Sequence, residues 1–313
     1  MLLWFNRLLI VFFSLISIDV LASGAAFSPG KYTVTHNNLK TSNQYRYYSW
    51  DYSIELFNGA AIFGTNFIEG HSFQKNFVGK NFFLGHRYNT LYTKPELFLS
   101  YFNWENAEKK SNTLSGLVNG VFLAQEKLNV SYQVGYTSMT QELQTNFFDE
   151  RIIKSVTAIF KGNLLLNTSW RGTFNFKNYF LSDKNTRLNH DLGLMYGIGQ
   201  GDPWIWLGVG GSRLSNSKMS EGYWSPDELF TIGPRLEVTF SFLQRMNFTT
   251  EAFINYLKAS DTKSDFGFNT LSKVGLKLNP NLDSYVSFEC IQSQQYGGIW
   301  RSSGFSLGLS GNW

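Results

Sequence analysis

The chain of 313 residues holds a single cysteine, Cys290. One thiol excludes an internal disulfide and any cysteine-built metal site. Proline is scarce, six residues in all, and no Pro-rich or low-complexity stretch offers a linker, so no second domain is apparent. Charged residues make up only 16% of the chain and leave a formal net charge of +4, which is no nucleic-acid footprint. The four histidines, His36, His71, His86 and His190, show no metal spacing with the acids. Calcium loops are missing too, so neither a metal nor another cofactor is expected. Helical periodicity is nearly absent after residue 25. No segment beyond that point is long and apolar enough to be a membrane helix.

What the chain has in quantity is aromatic side chains, 29 Phe, 16 Tyr and 9 Trp, or 17% of the sequence. Such an excess suits a β-barrel whose outside meets lipid and whose interface girdles are aromatic. The first residues add a second sign. Arg7 precedes an apolar run from Leu8 to Ile18, and Val20 and Ala22 stand three and one positions before a small-residue cleavage point. Asp19 cuts the run short of the roughly 20 residues that a spanning helix needs. Residues 1–22 are therefore expected to be a cleaved secretory signal peptide. Residues 23–43 are a periplasmic segment or first strand, and 44–313 the barrel.

Alternation with period two recurs along the rest. From Leu128 to Tyr136, Leu128, Val130, Tyr132, Val134 and Tyr136 share one face, and Asn129, Ser131, Gln133 and Gly135 the other. From Phe230 to Phe242 an apolar face of Phe230, Ile232, Leu236, Val238, Phe240 and Phe242 opposes Thr231, Arg235, Glu237, Thr239 and Ser241. Met246 to Tyr256 alternates less cleanly, because Phe253 and Leu257 fall on the polar side. A soluble sandwich alternates too, but these stretches are long, about 10–14 residues, where sandwich strands run about 5–6.

Candidate strands lie near 45–57, 59–68, 78–88, 94–104, 113–123, 127–138, 151–162 and 164–177. Others follow near 187–199, 203–213, 228–242, 245–257, 267–278, 282–291 and 301–313. Lys31 to His36 supplies a further one. The expected fold is thus an all-β, antiparallel, up-and-down transmembrane barrel of sixteen strands, with fourteen as the fallback, since bacterial barrels have even counts. Short links at Gln244-Arg245 and Asn279 to Asn281 alternate with long ones at 139–150, 178–186, 214–227 and 258–266. The short turns are assigned to the periplasmic side. At the end of the chain Phe305, Leu307, Leu309 and Trp313 share a face against Ser306, Gly308, Ser310 and Asn312. This alternation with an aromatic last residue resembles the terminal signal by which outer-membrane proteins are recognised by the barrel-assembly machinery. Outer-membrane lipids and lipopolysaccharide are the surroundings this implies, in a Gram-negative bacterium.

Catalytic sets are weak. Leu214-Ser215-Asn216 has the Ser-Asn pair of the outer-membrane phospholipases, but Arg213 stands where that family has a histidine two residues before the serine. A serine without its general base is ordinary turn chemistry. His190 and Asp191 are adjacent on an expected strand, so they point to opposite faces. An enzyme is not expected.

Gly222-Tyr223-Trp224-Ser225-Pro226, followed by an amphipathic strand with an internal Pro234-Arg235 and a hairpin, resembles the C-terminal barrel of bacterial exopolysaccharide exporters. These are the cellulose-synthase operon protein C and the poly-N-acetylglucosamine export porin. The likeness covers roughly residues 200 to 313 and continues through Lys273 to Leu278 and Tyr285. It implies a sixteen-stranded export barrel. Those exporters carry a helical-repeat region before the barrel that these 313 residues lack, so a separate periplasmic helical-repeat or polysaccharide-synthesis partner is implied. Pro234 costs a ladder hydrogen bond and is expected to mark a bulge or strand end.

The polar faces supply candidate lumen-lining residues: Asp51, Glu55, Arg235, Glu237, Glu251, Asn255, Lys273, Lys277 and Glu289. Mixed charge suits a neutral or weakly charged sugar polymer better than an ion-selective pore. The expected function is a pore passing or exporting a polysaccharide or similar polar solute. A non-conducting structural or adhesive barrel is the alternative, and a barrel hydrolase a more distant one.

Overall fold

The computed structural model describes residues 30–312, apart from 43–44, 58, 73–74, 89–94, 107–109, 125–126, 140–152, 199–200, 221–222, 243–244, 261–262 and 296–297. The expected signal peptide and Trp313 lie outside the described residues. The first eight strands are β1 (Lys31–Thr41), β2 (Arg46–Leu56), β3 (Ala61–Ser72), β4 (Lys75–Arg87), β5 (Glu96–Asn106), β6 (Lys110–Ala124), β7 (Leu128–Ser138) and β8 (Lys154–Leu165). The second eight are β9 (Trp170–Leu181), β10 (Thr186–Gly197), β11 (Trp204–Asn216), β12 (Glu228–Phe242), β13 (Met246–Ala259), β14 (Asp265–Asn279), β15 (Leu282–Gln295) and β16 (Gly298–Asn312).

Every strand pairs antiparallel with its sequence neighbours, and β1 pairs with β16, from Lys31 opposite Asn312 to Thr41 opposite Ser302. The result is a closed sixteen-stranded up-and-down barrel. Closure leaves no strand edge unpaired. The segment that the sequence left between periplasmic arm and first strand is β1, the strand that closes it.

Directly opposed residues share a face, so the register carries one side assignment round the whole barrel. Outward positions hold the exposed apolar residues, such as Phe63, Phe82, Leu99, Val134, Leu192, Val209, Ile254, Phe288 and Leu307. Phe305, Leu307 and Leu309 of β16 belong to this face, and Ser306, Gly308 and Ser310 to the inner one. The buried apolar side chains of the strands, such as Ile68, Phe77, Trp104, Met195, Trp206 and Leu257, lie inside. Aromatic rings of one strand lie across glycines of the next: a Cβ on Gly64, Gly70 or Gly308 would fall 2.1–2.2 Å from Phe83, Phe77 or Tyr285.

Four local expectations change. The apolar Leu164-Leu165-Leu166 reads as the opening of a strand, yet it ends β8. Asn167 then turns the chain by accepting from the Ser169 and Trp170 amides at 2.8 and 2.9 Å, and β9 starts at Trp170. Pro234 is neither bulge nor strand end. It sits inside β12 opposite Val209, while Gly233 and Pro234 drop out of the β12–β13 ladder without shifting its register. A Cβ on Gly233 would lie 2.0 Å from the Ile254 carbonyl oxygen, so β13 approaches too closely for any other residue. The links at 178–186 and 258–266 shrink to turns at 182–185 and 260–264, because the flanking strands run further than their apolar alternation. The contrast between the two ends therefore rests on the long connections after β7 and β11, strands that both end opposite Lys31 and Asn312.

Candidate functional site

The site is the inner wall and its mouth. Alternation directs polar side chains inward, and the register groups them. The described inward side chains of the strands carry as many cations (Lys31, Arg87, Lys161, Arg171, Lys177, Arg187, Arg235, Lys273, Lys277) as acids (Asp51, Glu55, Glu96, Asp191, Glu237, Glu251, Asp265, Asp283, Glu289). The nine residues singled out from the sequence all lie on this face.

Two arginines brace one side. Arg171 of β9 lies 4.5 Å over the Trp206 ring and donates to both oxygens of Glu237 on β12, at 3.3 and 2.5 Å. Arg235 of β12 lies 4.5 Å over Phe253 and donates to both oxygens of Asp191 on β10, one of them at 3.0 Å. Each spans intervening strands, which only the inner face permits. Arg235 crosses β11 at Gly210, where a Cβ would sit 2.0 Å from its Nε. Phe253, which breaks the alternation of β13, is thus the platform of this arginine. Glu251 stands directly opposite Glu237, so the two arginines face three acids. Paired charges with bidentate geometry hold the wall rigid.

On the other side Asp51 accepts from Asn37 at 2.8 Å and from Asn66. Glu55 and Glu96 flank Arg87 at 3.1 and 2.5 Å. Lys273 lies 4.2 Å over Tyr285, and Lys277 stands opposite Asp283. Glu289 borders a cavity of about 130 Å³ between Asn37, Tyr47, Leu271 and Ser306. Asn255 is buried beside Gly267. Aromatics continue the wall, with half-buried Phe102 stacked on the buried Trp104 at 4.3 Å and half-buried Phe83 edge-on to Phe98 at 6.2 Å.

The Tyr223-Trp224-Ser225-Pro226 motif closes over the mouth. Tyr223 is 1% exposed and packs with Met139, Tyr179 and Leu181 inside the barrel. Its hydroxyl donates to Asp183 Oδ2 at 3.0 Å and accepts from Asn185 Nδ2 at 2.8 Å. Burial pushes the phenol up to about 12, and the Asp183 carboxylate adds to the rise. Trp224 packs on the inward Leu214, Leu229, Leu257 and Ala259, and its carbonyl accepts from Arg187 at 3.0 Å. Leu257, the other break in the alternation of β13, is part of this seat. Ser225 Oγ accepts from the Ser220 amide at 2.6 Å, and the Pro226 carbonyl accepts from Asn216 at 2.7 Å. Residues 223–226 are therefore pinned inward, a placement the sequence did not signal.

His190 points outward against Phe176 and contacts Asn178 at 2.9 Å, while Asp191 points inward to Arg235. Ser215 also faces outward, opposite Leu188. The histidine and serine weighed for hydrolysis are not paired with each other: His190 stands opposite Arg213, and Ser215 opposite Leu188 and Glu228.

No protein-family model and no curated protein matches the chain. Solved structures do. The barrel is similar to a bacterial polysaccharide outer membrane secretin, with TM-score 0.73 and 9% identity over 91% of this chain and 98% of that one. It is also similar to CdiB from Acinetobacter baumannii, with TM-score 0.54 and 9% identity over 90% of this chain and 60% of that one. The likeness is one of fold.

Proposed function

We propose that the chain is an outer-membrane pore for a neutral or weakly charged polar solute, with a polysaccharide as the preferred class. The observation that carries this reading is the inner wall, where the described strand side chains carry cations and acids in equal number, set among amides, hydroxyls and aromatic rings. Charges of both signs interleaved along a wall give no strong barrier or sink to either ion sign. Pyranose rings carry hydroxyl edges and C–H faces, which match amides and aromatic faces. The similarity of the barrel to a polysaccharide secretin supports the preference.

In this reading the outward apolar face meets lipid, the end with Lys31 and Asn312 is periplasmic, and a signal peptide ending near Ala22 is removed. Phe305, Leu307 and Leu309, with Trp313, serve the assembly machinery. A periplasmic partner delivers the polymer to the open end. Flux of neutral, cationic and anionic oligosaccharides from proteoliposomes tests the solute class. Faster passage of the neutral series supports the proposal, and preference for either charged series refutes it.

A second reading has its own observation. The two arginine braces and the inward residues 223–226 narrow the lumen, as in a non-conducting barrel. Releasing the segment by Tyr223→Ala distinguishes them: a pore conducts more, whereas a plugged scaffold stays silent.

A further inference from the structure

The outer surface is asymmetric in charge. In the half nearest Lys31 and Asn312, outward positions of the described strands carry no Lys, Arg, Asp or Glu and end in side chains such as Leu56, Leu84, Leu164, Trp170, Tyr196 and Phe242. The opposite half carries Lys40, Arg46, Lys80, Lys154, Lys258 and Arg301 in addition to two ion pairs, Lys110–Glu105 at 2.8 Å and Arg213–Glu228 at 2.6 Å.

Three of these cations are neighbours. Lys40 is directly opposite Arg46 across β1 and β2. Arg301 of β16 is one outward step further round. Its carbonyl accepts from the Ser42 amide at 2.7 Å, and its amide donates to Ser42 Oγ at 2.9 Å. All three side chains are exposed. Arg301 Nε donates to Gln292 at 3.0 Å, and among the described residues none of the three meets a carboxylate. His71 lies opposite Arg46, and the one outward acid nearby, Glu69, stands opposite Tyr48. Three permanent cations thus face one acid.

From this juxtaposition we propose that Lys40, Arg46 and Arg301 form a binding site on the barrel's outer wall for the phosphates of a membrane glycolipid. It rests on the membrane location proposed above. A solvated rim would mix both signs at both ends. Here the outward strand positions of one half carry no charge, and the other half holds a cation cluster that faces a single acid, the complement of a leaflet rich in phosphate. Lys and Arg at that depth lay their stems along the apolar wall and raise the charged head to the headgroups, and Arg offers a planar fork for phosphate oxygens.

The test uses the full chain purified in uncharged detergent and offered lipid A carrying its phosphates, or the same lipid after dephosphorylation, with bound lipid counted by native mass spectrometry. The native chain is expected to retain the phosphorylated form and lose the dephosphorylated one. Each cation near an anionic surface is worth about a fivefold change in partitioning, so the triple variant Lys40→Gln/Arg46→Gln/Arg301→Gln is expected to lose retention roughly a hundredfold. Lys110→Gln/Arg213→Gln, which removes cations already paired, is expected to keep it. Equal retention by the triple variant, or of the dephosphorylated lipid, overturns the site. If the triple variant does not fold, the dephosphorylated arm decides on the native chain. Failure to insert into vesicles of any composition refutes the membrane reading itself, whereas insertion without retention refutes only the lipid site.

Discussion

At the scale of single residues, the inner wall works through pairs that share no neighbourhood in sequence. Arg235 and Asp191 are 44 positions apart. Removing the arginine leaves an acid on the wall with its partner lost. Arg235→Gln is expected to lower unfolding stability by about 1–3 kcal/mol and, in the proposed pore, to favour cations, read as a shift in reversal potential under a salt gradient. Gly210→Ala separates the two effects. Its Cβ would displace Arg235 from a contact distance of 2.0 Å, so the same brace breaks while the charge count stays even. Stability is expected to fall by a comparable amount with little change in selectivity. Loss of selectivity in Gly210→Ala as large as in Arg235→Gln would show that geometry, not charge balance, sets it.

Which face each of these residues occupies was legible as alternation, and Arg171, Thr173, Asn175 and Lys177 alternate as plainly as the residues chosen. Their partners were not legible, because β9 meets β12 only through the curvature of a closed barrel. The breaks in pattern were informative in hindsight: Phe253 and Leu257 look like errors of phase until Arg235 and Trp224 are seen resting on them.

Among the elements, the described residues between β11 and β12 are held by the neighbouring turn between β9 and β10 and by Asn216 at their base. Tyr223 bridges Asp183 and Asn185, and its raised pKa means that the folded protein favours the neutral phenol. That contribution is intact below pH 10 and is lost as the pH rises toward 12. Protease nicking of the segment is therefore expected to accelerate between pH 10 and 12, and Tyr223→Phe is expected to remove that step while raising nicking at neutral pH. An unchanged profile in Tyr223→Phe would place the anchor elsewhere, on Trp224 or Asn216. The strands themselves were readable from long alternation, with ends off by a few residues. The errors fell where apolar runs crossed turns, as at Leu164 to Leu166, since periodicity has no sign for where a run stops. β12 carries a sharper test. Gly233→Ala places a methyl against the Ile254 carbonyl, and loss of barrel stability by about 1–3 kcal/mol is expected from the overpacked contact.

For the whole molecule, closure by β1 and β16 turns sixteen amphipathic strands into a wall with a largely apolar outside and an inside of mixed charge. Strand number and closure followed from counting alternating stretches and from the first candidate strand at Lys31. The inward path of residues 223–226 did not, because nothing in a polar loop's composition tells which way it bends. The balance of inner charge was visible only once every strand had a face.

Planar-bilayer recording of the purified full chain tests the central claim most directly. Single-channel current with near-equal passage of both ion signs, larger in Tyr223→Ala and reversibly reduced by a neutral oligosaccharide, is the predicted result. Silence from both the native chain and Tyr223→Ala after confirmed insertion would contradict it and leave the barrel a scaffold.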